Sequence, residues 1–282
     1  LYHPLVTVWA NSDVMFNEKK WDFGRTGPRR DARDSDSPPA YDFYWRNSAE
    51  ITEEHYSKLM DRLVESHWDF DVADDYFLGR AKMNGARIQI GPESFHAIVL
   101  PPMTTMRRSA MERIAEFARA GGLVIATGFL PTISMESGRG DPALAKLVKE
   151  VFDGGRGVFV GNDLARVVEI LEARAPKDFK VLAGDASVLR YQKRAANGSD
   201  YYFIVNDSPD AHRLTVRLAG AGKPERWDAD GGARTALAGT PEKLDLKFAP
   251  WEAYYVVLGP GGAPLVGKRI WQKYGRWPVY SK

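Results

Sequence analysis

Carboxylates are the residues of this chain best placed to do chemistry. Asp69, Asp71, Asp74 and Asp75 crowd one short segment. Two carboxylates at a suitable separation are enough to hydrolyse a glycosidic bond, one acting as acid and the other as base or nucleophile. The apolar pattern reads Phe70–Ala73 as a strand. That strand would set Asp74 and Asp75 at its carboxyl end, where open α/β sheets bind ligands. The competing reading, in which the pair caps a turn and stays solvated, is the preferred one. Glu53 and Glu54 are better assigned to the positive end of a helix.

Aromatic residues are the second lead. Tyr41, Phe43, Tyr44 and Trp45 follow closely on Trp21 and Phe23. Flat apolar rings stack on sugars, and they also anchor domain interfaces. The interface reading leads here. Asp74, Asp75, Tyr44 and Trp45 are therefore kept as substrate-contact candidates, and no residue is assigned a catalytic role.

Other chemistries are excluded residue by residue. With no cysteine in the chain there is no disulfide, thiolate metal site or thiol nucleophile. A glutaminase on an α/β fold would need that thiol. No Gly-x-Ser-x-Gly elbow is present. His3, His55, His67, His96 and His212 show neither i,i+4 pairing nor an HExxH motif. The first strand leads into Asn11-Ser12-Asp13 rather than a glycine fingerprint. No cofactor and no metal are expected in this chain.

These residues need elements to position them. Leu5–Ala10, Phe70–Ala73, Ala97–Leu100, Leu123–Thr127 and Gly157–Val160 read as short buried strands. A helix starting near Asn47 or Thr52 runs to His67. A second carries Met111, Ile114, Ala115 and Ala118 on its apolar face, and two more lie near 142–153 and 163–174. Alternating strands and helices predict a flavodoxin-like, class I glutamine-amidotransferase-like parallel sheet over residues 1–177. Beyond Pro176 the runs alternate with period two and turn at Asn197-Gly198 and Asp230-Gly231-Gly232, which predicts a small antiparallel β-sandwich over 178–262. Residues 17–40 form a charged insertion, and 263–282 a linker or the start of a further β domain.

The bulk numbers agree with a soluble chain. With 44% apolar and 27% charged residues, disorder is excluded. A net charge of +2 over 282 residues gives no case for nucleic acid or an anionic membrane as partner. No apolar run approaches a membrane span. The chain opens on an apolar run with no initiator Met, and is read as a cut through a larger protein.

A family resemblance covers most of the chain. Asp69-Phe70-Asp71-Val72, Asn84-Gly85 with Ile88, Phe95-His96-Ala97-Ile98-Val99-Leu100-Pro101-Pro102 and Ala120-Gly121-Gly122-Leu123-Val124-Ile125 resemble the α-L-rhamnosidase-like glycoside hydrolases of family 106. In the second half Tyr202-Phe203-Ile204-Val205-Asn206, Trp227-Asp228-Ala229-Asp230-Gly231 and Leu246-Lys247-Phe248-Ala249-Pro250-Trp251-Glu252 are similar to a small β-domain downstream. Gly275-Arg276-Trp277-Pro278-Val279 resembles the start of a sugar-binding jelly roll. The resemblance implies an amidotransferase-like domain without its nucleophile, following a catalytic barrel of the same protein, with the trimerisation domain of β-galactosidases as the nearest relative. Catalytic carboxylates and calcium ligands would lie on that barrel, ahead of Leu1. The expected function is a non-catalytic C-terminal portion of an exported, periplasmic or secreted, rhamnosidase with carbohydrate as ligand. The alternative is a stand-alone carbohydrate-binding or oligomerisation module.

Overall fold

Helix α1 runs over Pro39–Glu65 in the computed structural model, which describes residues 1–4, 7, 39–229 and 231–260, and of residues 39–50 the backbone alone. Its start lies upstream of the expected caps, at a proline whose fixed φ suits a first helical turn. Its end is closed by a paired motif, with Trp68 N donating to Leu63 O (2.9 Å) and His67 N to Val64 O (3.0 Å). His67 takes a φ of 55° there, in the place glycine usually holds. The chain then divides into two compact units, Leu1–Lys177 and Asp178–Lys282.

In the first unit α1 is followed by α2 (Asp75–Gly79) and a meander of β1 (Lys82–Asn84), β2 (Arg87–Ile90) and β3 (Glu93–Phe95). Next come β4 (Ala97–Leu100), β5 (Thr105–Met106), α3 (Arg108–Arg119) and β6 (Leu123–Ala126). Then β7 (Ile133–Ser134), β8 (Gly138–Arg139), α4 (Pro142–Phe152), β9 (Gly157–Phe159) and α5 (Leu164–Arg174) complete it. Strands β4, β6 and β9 pair in parallel, from Ala97 opposite Leu123 to Ala126 opposite Phe159. Their side chains alternate between two cores. Ile98, Leu100, Val124 and Ala126 pack with Met111, Ile114, Phe117 and Leu144. Val99, Leu123 and Ile125 pack with Leu59, Leu63, Val167 and Leu171. Each such buried aliphatic side chain contributes roughly 1.5–3 kcal/mol.

The flavodoxin-like, amidotransferase-like sheet expected from the sequence is not what forms. Such a fold takes about five parallel strands, and among the described residues the parallel sheet of β4, β6 and β9 has three, amid several small sheets of mostly antiparallel strands. Phe70–Ala73, read as a strand, makes a single bridge, Ala73 with Tyr2. Asp74 turns the chain into α2 directly after it. Leu5–Ala10 lies outside the described residues apart from Thr7, as do most of the insertion and the segment 263–282.

The second unit has two antiparallel sheets. One joins β10 (Phe179–Ala183), β13 (His212–Leu218), β17 (Lys243–Phe248) and β16 (Gly239–Thr240). The other joins β11 (Leu189–Ala196), β12 (Ser199–Asn206), β18 (Ala253–Leu258), β14 (Glu225–Asp228) and β15 (Arg234–Ala236). Leu214, Val216, Leu246 and Phe248 of the first meet Tyr202, Ile204, Tyr254 and Val256 of the second in one core. Asn197 and Gly198, at φ 52° and 75°, make the two-residue turn between β11 and β12.

Gly122 is the tightest point of the first unit's helix-to-strand crossing, because the Phe117 ring lies where its Cβ would be. Gly122→Ala is expected to destabilise the chain by about 1–3 kcal/mol, read as a lower urea midpoint. Gly85→Ala, at an open turn with φ 58°, is expected to cost only the left-handed backbone strain.

Candidate functional site

Asp74 and Asp75 are adjacent in sequence and do different things. Asp74 Oδ1 accepts from Tyr76 N (2.9 Å) and Phe77 N (3.1 Å), so it is the N-cap of α2. Asp75 is only 2% exposed. It accepts from the Tyr2 hydroxyl (2.7 Å) and from Arg107 N (2.7 Å). Burial pushes the Asp75 carboxyl above its ordinary value, and the two hydrogen bonds hold it back. Burial, with the Asp75 charge beside it, raises Tyr2 as well. Asp75 is thus a satisfied buried acid at the carboxyl end of β4. Tyr44 and Trp45 fall in the backbone of α1, and their side chains lie outside the described residues.

The contact with Arg107 shows what these acids serve. Helix α3 has no side-chain cap of its own at Arg107. Its first N–H groups are taken instead by carboxylates from other elements, Arg107 N by Asp75 and Arg108 N by Glu136 (3.0 Å). The Arg108 guanidinium reaches on to Asp141 Oδ2 (2.7 Å) and Ser137 Oγ (2.8 Å). Asp141 also caps α4 through Ala143 N (2.9 Å). The Ser134 hydroxyl and then Arg108 hold the Asp141 carboxyl down, from 3.8 to about 2. Beside this clasp an open cleft of about 480 Å³ runs along Leu130, Ile133, Val148 and Lys149.

A second cleft, of about 240 Å³, is lined by Val72, Phe77, Ile88, Ile90, Phe95 and Glu93. At its edge stand Phe77, 51% exposed, and Tyr76, 56% exposed, ring edge to face at 5.5 Å. The Arg80 guanidinium lies over the Tyr76 ring at 3.7 Å. The lining is mostly apolar, with Asp71 and Glu93 as its two acidic residues. Sequence reasoning passed over Tyr76 and Phe77. Two large aromatics directly after the cap of a five-residue helix are the signal that marks them, since a helix that short cannot bury both.

The second unit offers a serine beside a histidine, Ser208 Oγ to His212 Nε2 at 3.0 Å. The pair is not a nucleophile and base. Ser208 gives its one proton to Asn206 Oδ1 (2.8 Å), because Asn206 Nδ2 is committed to Asp210 O and Ala249 O. The contact to His212 is then made by the ring's Nε2–H. This network stitches the turn after β12 to the one before β18. In the latter, Ala249–Glu252 closes through Glu252 N to Ala249 O (3.2 Å) with Pro250 second and Trp251 third. Trp251 has a φ of 57° and is 63% exposed. Glycine or asparagine normally takes that position, and a larger residue there costs about 1–2 kcal/mol. Among the described residues no group of three or more His, Cys, Asp or Glu side chains converges to hold a metal.

A glycoside-hydrolase relationship emerges when this architecture is compared with known proteins. The α-L-rhamnosidase family of glycoside hydrolases, family 106, matches residues 40–239, and the chain belongs to that family. No curated protein matches it. Among solved structures it is similar to a rhamnosidase from Novosphingobium sp. PP1Y, at 20% identity and a TM-score of 0.57, over 70% of this chain and 20% of that one. It is also similar to a family 42 β-galactosidase from G. stearothermophilus, at 12% identity and a TM-score of 0.52, over 78% of this chain and 39% of that one. A β-galactosidase from Bacillus circulans sp. alkalophilus gives 10% identity and a TM-score of 0.52, over 76% and 40%. At these identities the likeness is one of fold alone. The chain spans a fifth of the length of the rhamnosidase and about two fifths of that of the galactosidases.

The two acids give stability opposite dependences on pH. Asp141 is depressed on folding, so its contribution is present above its ordinary 3.8 and is lost as pH falls through about 2. Asp75 is raised, so its contribution is fullest below the unfolded value and is lost as pH climbs through its folded one. Urea melts from pH 2 to 7 should show Asp141→Asn flattening the acid limb and Asp75→Asn flattening the limb above it. Asp75→Ala, which strands the Tyr2 hydroxyl and Arg107 N–H, is expected to cost about 3 kcal/mol at pH 7, more than Asp75→Asn.

Proposed function

We propose that this chain is a non-catalytic portion of a larger glycoside hydrolase that cleaves α-L-rhamnosidic bonds in plant or bacterial polysaccharides. The observation that carries the reading is the family match over residues 40–239, set against acids already engaged in holding the fold together. Asp74, Asp75 and Asp141 cap helices or satisfy buried donors. The share of the rhamnosidase that this chain spans supports the same reading. In it the catalytic carboxylates, and the calcium such a parent would bind, belong to an upstream barrel. No ligand set for calcium converges among the described residues of this chain.

The face made by Val72, Tyr76 and Phe77 is the surface on which this portion meets that barrel. Three large apolar side chains exposed side by side exceed what a solvated loop needs. Asp74, with Tyr44 and Trp45 on α1, is assigned to the rim of the substrate site, and Asp75 supports it from beneath. The alternative, a stand-alone carbohydrate-binding module, draws on exposed Trp251.

The purified 282-residue chain is expected to release no nitrophenol from 4-nitrophenyl α-L-rhamnoside, whereas the same chain joined to its upstream reading frame is expected to do so. Turnover by the chain alone that Asp74→Asn abolishes would overturn the assignment.

A further inference from the structure

We propose that Trp251 is the stacking platform of a separate carbohydrate-binding site on the second unit, taking a pyranose ring with an enlarged apolar face such as a 6-deoxyhexose. The inference rests on the reading of the chain as part of a glycoside hydrolase for the sugar, and on the geometry for the site. Three non-glycine residues have a left-handed backbone among the described residues. Asn197 is a two-residue hairpin turn, and His67 closes a helix. Trp251 is the third residue of the Ala249–Glu252 turn, where the backbone calls for glycine or asparagine. The largest side chain stands in a glycine position and turns its ring to solvent.

The turn that carries the ring is held in place. Trp251 N donates to Ser208 O (3.0 Å), and Glu252 clamps the turn by accepting from Ala249 N (2.8 Å) and from Arg226 Nη2 (2.5 Å). A platform fixed before the ligand arrives loses little freedom on binding. The turn bonded to Trp251 carries Asp207 and Asp210, both exposed. Carboxylates there accept from sugar hydroxyls, while the indole covers the ring's C–H face and the C6 methyl of a deoxy sugar.

The surroundings favour a sugar over a protein partner. In the second unit Trp251 and Leu182 are the large apolar side chains exposed among the described residues. A protein interface needs about 800 Å² per partner with a core depleted of charge. One exposed indole beside a turn that carries two exposed acids fits one ring.

The test is electrophoresis of the whole chain through gels containing rhamnogalacturonan I, with galactan and plain gels as controls. Retardation by the rhamnose-bearing gel, weakened about tenfold in Trp251→Ala and largely kept in Trp251→Tyr, is the expected result. Trp251→Gly should lose binding like Trp251→Ala while melting higher than it, which separates the ring's role from a structural one. Absence of retardation in the parent chain, or equal retardation in Trp251→Ala, overturns the site. The same holds if Trp251→Ala leaves retardation intact but weakens association with the upstream segment, which assigns the ring to a protein contact. None of these outcomes bears on the nitrophenyl rhamnoside assay, which judges the non-catalytic reading by itself.

Discussion

The N-terminus of helix α3 lacks a cap of its own, and the first unit is arranged around supplying one. A helix end leaves its first N–H groups without partners and a partial positive charge beside them. Arg107 and Arg108, at that end, bring no acceptor. Asp75 and Glu136 bring carboxylates from different elements instead. To deliver its oxygen Asp75 must be buried, and to be buried it needs the Tyr2 hydroxyl. Tyr2 in turn lies where its N–H bonds Val99 of β4 and its neighbours bond Asp71 and Ala73. One unsatisfied helix end thereby ties α2, α3, β4 and the first residues of the chain together.

The same demand engages other acids of the first unit. Asp74, Asp141 and Asp163 cap α2, α4 and α5. Asp141 takes Arg108 in addition, so the clasp closes the β7–β8 hairpin over two helix starts. A carboxylate held this way is fixed in position by the N–H groups it caps.

Much of the fold was legible. Met111, Ile114, Ala115 and Ala118 mark α3, and every one of them is buried. Leu214, Val216 and Leu218 alternate as β13 does, and Asn197-Gly198 forms a hairpin turn, while Asn84 ends β1 and the turn that follows it is Gly85-Ala86. These signals are local, written in periods of 3.6 and two. Phe70–Ala73 misled because four residues with strand-like composition do not say whether a partner strand is available. The Asp74 cap turns the chain away after that one bridge. Among the described residues the parallel sheet has three strands instead of a doubly wound five. For the site, composition pointed at Asp74 and Asp75 and at the aromatics of residues 41–45, and passed over Trp251.

The sequence by itself determined most of the periodic elements and turns, the lack of thiol chemistry and the family to which the chain is similar. Each follows from residue identity and spacing along the chain. The tertiary structure alone decided what each carboxylate does, since capping or catalysis depends on which distant N–H lies within three ångströms. It also decided which aromatics remain in water. Burial is a property of neighbours brought from elsewhere in the chain, and a left-handed tryptophan appears only once the turn that carries it has closed.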